Sequence, residues 1–113
     1  MGDQFEIVRR SVKPDLRVEL LDTATGDAYS LAGVTQVRLV VATRLEAQPA
    51  DILIDAVMTI EDVAGGVCRK TWASGETAAL PIGKHYGMIE CTTPGGLVNF
   101  GHFLFQILES VRA

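Results

Sequence analysis

Two histidines and two cysteines are the residues whose chemistry has to be weighed first. His85, His102, Cys68 and Cys91 are the whole complement of imidazoles and thiols in the chain. Brought together they would make a zinc site, but structural zinc draws its ligands in close pairs such as C-x-x-C, and no such pair is present. Cys91 and His85 are separated by an even number of residues, so on one strand they share a face, as a thiol-imidazole dyad would require. Neither an oxyanion-hole loop nor a third, orienting residue accompanies them. A cytosolic thiol or metal enzyme would need all four groups to converge, and the expectation is of two thiols packed as small apolar side chains and two ordinary imidazoles. Asp51 with Asp55, and Glu61 with Asp62, are the carboxylates closest in sequence. They flank strand ends, without the Asp/Gly loop spacing of a calcium site. Gly65-Gly66 and Gly95-Gly96 are turn glycines expected at positive φ; no helix follows them, so they do not cradle phosphate. The chain is therefore expected to be no enzyme, with no catalytic, cofactor-binding or metal-binding residue and no cofactor.

Composition narrows the field further. The 113 residues are 48% hydrophobic, which fits a single domain over 1–113 that buries roughly two-thirds of its unfolded surface. Ten Lys and Arg against fourteen Asp and Glu leave a net charge of −4 without a basic cluster, so no nucleic-acid partner is expected. No run approaches the roughly 18 apolar residues of a membrane span, and MGDQFEIVRR lacks the layout of a secretory signal, so no membrane partner is expected and synthesis is placed in the cytoplasm. Met1-Gly2 opens like a myristoylation signal, but Glu6 stands where Ser or Thr is needed. Without secretion, Cys68 and Cys91 are read as buried thiols in preference to a disulfide. Their spacing around Trp72 is also too tight for the whole-domain Cys…Trp…Cys plan of antibody domains.

The elements that would position these groups are strands. Leu16, Val18 and Leu20 alternate with Arg17 and Glu19 before the turn residues Asp22 to Asp27. Val37, Leu39 and Val41 follow the same rule. Ile52, Ile54, Ala56, Met58 and Ile60 form the longest apolar row, and a slip of one residue would turn all of it to water. Asp62 to Gly66 reads as a hairpin turn into Val67 to Trp72, where Cys68, Lys70 and Trp72 share a face and the pattern is compatible with either side being inside. Ser74 to Pro81 is expected to make only a helical turn, with Ser74 as its cap. Gly83 to Thr93 and Leu97 to Leu108 pair about Thr93-Pro94-Gly95-Gly96, with Phe103, Phe105 and Ile107 facing the core. An edge strand near the N-terminus brings the count to about seven, and such strands bury one another in an all-β, antiparallel two-sheet sandwich. Residues 1–13 form an N-terminal arm or edge strand, and Lys13-Pro14 is expected to hinge it.

A longer pattern runs through the chain. Val18-Glu19-Leu20-Leu21-Asp22, Gly26, Ser30-Leu31-Ala32-Gly33, Val37-Arg38-Leu39-Val40-Val41 and Ala56-Val57-Met58-Thr59-Ile60 are followed by Gly66-Val67, Trp72, Gly75-Glu76-Thr77-Ala78, Gly83 and Tyr86. Ile89-Glu90-Cys91-Thr92-Thr93-Pro94-Gly95-Gly96 completes it. From about Phe5 to Ile107 this resembles the N-terminal domain of phage baseplate upper proteins. The resemblance implies an immunoglobulin-like sandwich of a tailed-phage virion, with no catalytic residues to carry over. Two departures stand out. The fibre or receptor-binding portion that commonly comes next in that family is expected to be missing, which puts a direct role in host recognition aside, and Tyr86 comes one residue late after Gly83, which predicts a bulge or a shifted turn there.

With the resemblance, the expectation is of a virion structural protein that docks on other virion proteins in many copies, at the neck, tail or fibre-attachment site. A capsid decoration protein is the nearest rival. A glycan-binding module is a further one, although seven aromatics, several needed in the core, leave few for a binding platform. The candidate docking strand is Gln4, Phe5, Glu6, Ile7, Val8 and Arg9, which would add to a neighbour's sheet.

Overall fold

A computed structural model describes residues 4–22 and 24–111; the Met1-Gly2 start and Thr23 of the first turn lie outside them. Among these residues nine strands are formed: β1 (Gln4–Val8), β2 (Leu16–Glu19), β3 (Gln36–Ala42), β4 (Ile52–Val57), β5 (Thr59–Asp62), β6 (Val67–Lys70), β7 (Gly83–Thr93), β8 (Gly96–Asn99) and β9 (Phe103–Leu108). They build two facing sheets, one in the order β1-β9-β7-β3-β4 with β8 also on β7, the other β2-β6-β5. The only helix among the described residues is one short 3-10 turn, Pro49–Asp51.

Alternation put the right residues inside. Leu16, Leu20, Val37, Leu39, Val41, Ile54, Met58, Ile89, Phe105 and Ile107 are buried between the sheets. Each such side chain contributes about 1.5–3 kcal/mol when taken from water. Cys68, Lys70 and Trp72 all face inward, which decides the orientation of β6. Trp72 donates its indole N–H to Pro14 O at 2.9 Å and packs its ring against Phe5 and Phe105.

Two expected strands are each divided. The row from Ile52 to Ile60 serves both sheets: β4 pairs with β3, Met58 donates its N–H to Val37 O, and β5 then pairs with β6. From Ile54 to Ile60 the apolar side stays inward through the crossing, but a register shift between Val41 and Ala42 sets Ile52 beside Ala42 on the outer face, so the expected inward row begins at Ile54 and not at Ile52. Leu97 to Leu108 is likewise interrupted, because β8 and β9 lie end to end along β7 and their registers differ by one residue. The extra residue falls between Asn99 and Phe103, near Phe100, whose N–H reaches Ile89 O at 3.0 Å.

Several local expectations are corrected. The bulge expected at Gly83–Tyr86 is absent, since β7 keeps one register with β3 and with β9 there; the irregularity sits on the facing strand. The sandwich is not wholly antiparallel, because β1 runs parallel to β9. Ser74 is not the cap of the turn after β6; Glu76 accepts the Ala73 N–H at 2.8 Å instead. Of the paired glycines only Gly66 (φ 67°) and Gly96 (φ 125°) have positive φ. At Gly66 a Cβ would also lie 2.5 Å from Tyr29 O and 2.9 Å from Leu20 O, so two chain segments close over the bare glycine. The segment containing Lys13-Pro14 is fastened by Trp72 to Pro14 O and by Thr77 Oγ1, which donates to Ser11 O at 3.1 Å. It therefore anchors β1 where a hinge was expected.

Candidate docking site

The two thiols are neighbours in the core, and the imidazoles are placed away from them. His85, Gly87, Ile89 and Cys91 share the inward face of β7, yet His85 and Cys91 are six residues apart, about 20 Å at strand rise. His85 is buried and its Nε2–H donates to Pro81 O at 2.8 Å. His102 is exposed and stands edge-on to Tyr86. Cys68 and Cys91 are free and fully buried. Burial pushes the Cys68 thiol up to about 11, with the neighbouring Cys91 adding to the effect, and it raises Cys91 as well. Such thiols are poor nucleophiles at neutral pH. Among the described residues no cluster of three or more metal-ligating side chains is found.

The carboxylates hold the structure locally. Asp51 accepts the Gln48 N–H, Asp62 accepts the Gly65 N–H, and Asp55 pairs with Arg38 at 2.7 Å. On the outer face of the smaller sheet Arg69 bonds Glu61 and Asp15, and Arg17 bonds Glu19 at 3.0 Å and approaches Glu61 at 3.5 Å. Hydrogen bonds from Lys13 and Arg69 hold Asp15 below the usual carboxylate range, and Arg69 does the same for Glu61. Lys70 is a buried cation on the inward face of β6. Its Nζ reaches Glu76 Oε2 and Thr71 O, each at 2.7 Å, and lies 4.7 Å from the Trp72 ring centre. Burial works to raise Glu76, but Lys70 and the Ala73 N–H outweigh it and leave its carboxyl below the ordinary value.

What remains for binding is edges and grooves. The expected docking strand is found as β1, at the edge of the larger sheet, paired with β9 from Gln4 to Val8. Ile7 is 1% exposed and Phe5 packs on Phe105, so these two of the strand's five side chains belong to the core. Gln4 and Glu6 point outward and are bonded to each other at 2.9 Å. A groove of about 410 Å³ crosses the outer face of the larger sheet, with Val40, Ala42 and Met88 in its lining beside Tyr86, Glu46 and Glu90. A second, of about 800 Å³, opens between the sheets beside β2; Phe5, Val18, Ile89, Phe100 and Phe103 line it. The sequence did not flag this second groove, although three strands facing six leave part of the larger sheet uncovered.

This architecture is a two-sheet, immunoglobulin-like β-sandwich. The fold is similar to the N-terminal domain of phage TP901-1 ORF48, with a TM-score of 0.65 and 9% identity, over 91% of this chain and 82% of that one. It is also similar to CopC from Methylosinus trichosporium OB3b, with a TM-score of 0.53 and 7% identity, over all of this chain and 90% of that one. At these identities the likeness is one of fold. No protein-family model matches the chain, and no curated protein matches it by sequence.

Proposed function

We propose that this chain is a bacteriophage virion structural protein, an immunoglobulin-like domain that docks onto the assembled particle at the neck, tail or fibre-attachment site. The observation that carries the reading is the correspondence of fold, over nine-tenths of the chain, with the N-terminal domain of a phage protein. The sequence resemblance to baseplate upper proteins points the same way. The distance between His85 and Cys91, the exposure of His102 and the full burial of both thiols support a binding role in preference to a catalytic one. Its partners are other virion proteins. Particle rings are symmetric, so each particle carries several copies. The protein is made in the host cytoplasm and ends in the virion.

Immunogold labelling of purified particles, with a count of copies per particle, tests this. Label confined to the tail or neck in a small ring-like number is expected. Label over the head in hundreds of copies would make it a capsid decoration protein, and unlabelled particles would refute the virion reading altogether.

A further inference from the structure

We propose that β2 is a self-association edge: two copies of this chain join β2 to β2, antiparallel, about a twofold axis through Val18. This goes beyond the virion reading and stands or falls separately from it.

The backbone sets the available side. Leu20 donates its N–H to Gly66 O and accepts the Tyr29 N–H, both at 2.8 Å. The groups of even-numbered β2 residues therefore face β6, and the alternation of an antiparallel ladder turns those of Arg17 and Glu19 to the open edge. A twofold axis at Val18 sets Arg17 opposite Glu19 of the second copy, and Glu19 opposite its Arg17. Both residues of each pair then have N–H and C=O aimed at the partner strand, which is the condition for a hydrogen-bonded pair.

The side chains select the same register. Arg17 and Glu19 are exposed on the outer face, so opposite charges meet across the junction. On the inner face Leu16 meets Leu20, and Val18 meets its own copy. Centring the axis on Arg17 or on Glu19 would instead set like charges directly opposite. The junction also extends the smaller sheet sideways, over the 800 Å³ groove where Phe5, Phe100 and Phe103 stay half-exposed. Six strands face three in one copy, and a second β2 continues the short sheet on the side where it falls short.

Light scattering coupled to size exclusion, over a concentration series of the full chain, reads the mass. It is expected to rise from 12.2 kDa towards twice that value. Hydrogen exchange should slow at the Arg17 and Glu19 amides as dimer forms. Arg17→Glu or Glu19→Arg alone should weaken the dimer about tenfold, because symmetry makes each change count twice, and the double swap should restore it. Glu19→Pro removes an outward N–H while sparing the β6 ladder, and should leave a folded monomer. Thermal unfolding of every variant separates loss of pairing from loss of fold. A monomer up to about 1 mM overturns the proposal and leaves the groove to a strand of a different chain. A dimer whose β2 amides exchange freely, or that ignores the charge swap, overturns it as well.

Discussion

Replacing Glu76 with glutamine removes one charge from a buried pair and little else. The Lys70 side chain is 10% exposed and that of Glu76 29%, with Nζ and Oε2 at 2.7 Å. Breaking a fully buried pair costs about 3–5 kcal/mol, because the remaining charge is stranded. Here Lys70 keeps Thr71 O and the Trp72 ring, the amide oxygen of glutamine can still accept the Ala73 N–H, and Glu76 is partly wet. The expected loss is therefore about 2 kcal/mol. With a urea dependence of about 1.3 kcal/mol/M, the unfolding midpoint should fall by about 1.5 M. The partner substitution distinguishes a stranded charge from general damage. Lys70→Met keeps the apolar stem and removes the charge, so the double variant Lys70→Met/Glu76→Gln should be more stable than Glu76→Gln alone. Equal midpoints for those two variants, or a Glu76→Gln midpoint within error of the parent, would refute the argument.

Further predictions concern the same core and its rim. Neither cysteine should react with an aromatic disulfide reagent at pH 8 until the protein unfolds, given thiols that are buried and, for Cys68, shifted to about 11; native labelling would show that the interior opens. Gly66→Ala should cost more than about 2 kcal/mol in thermal unfolding, because left-handed strain is compounded by two carbonyl contacts, whereas Gly75→Ala at φ 82° in open space should cost only about 1. Phe105→Ala should lose about 3–5 kcal/mol as a cavity opens between the sheets. Asp15, Glu61 and Glu76 all have folded-state values below the ordinary carboxylate range. Their contribution is therefore present above the unfolded values near 4 and is lost as pH falls through the folded ones. Stability measured between pH 5 and pH 2 should fall, and Arg69→Met should flatten that fall.

Alternation revealed faces better than it revealed sheets. From Ile54 to Ile60 one apolar row predicted which side chains face the core, and it did so in both sheets, whereas the bulge in β4 turned Ile52, the expected first member, to the outer face. The transfer from β4 to β5 at Met58 leaves the period untouched, so nothing in the pattern announces it. The parallel partnership of β1 with β9 was hidden for a related reason: a strand's residue types show that it will pair, while its direction depends on where the chain has travelled in between. Lys70 was opaque because its partner lies in the loop six residues on, a spacing that no regular element makes adjacent. The late Tyr86 suggested a bulge in its own strand, and there is none, because β7 keeps a single register with both neighbours across Gly83 to Tyr86. As for docking, the edge character of Gln4 to Val8 could be read from its isolation near the N-terminus. The opening beside β2 could not, since it arises from unequal sheet widths.

The pairing of β1 with β9 also has a mechanical side. Each β1 residue lies beside the residue one hundred positions later, from Gln4 with Leu104 to Val8 with Leu108, and the two strands run in the same direction. Tension that draws the chain's leading segment away from its trailing one pulls these neighbours in opposite senses along their length. The whole row of register pairs then resists together in shear, where an antiparallel pair joined by a turn would peel open one rung at a time. A module wired this way transmits a longitudinal load through a short, stiff clamp near its two ends and shields the rest of the sandwich from the pull.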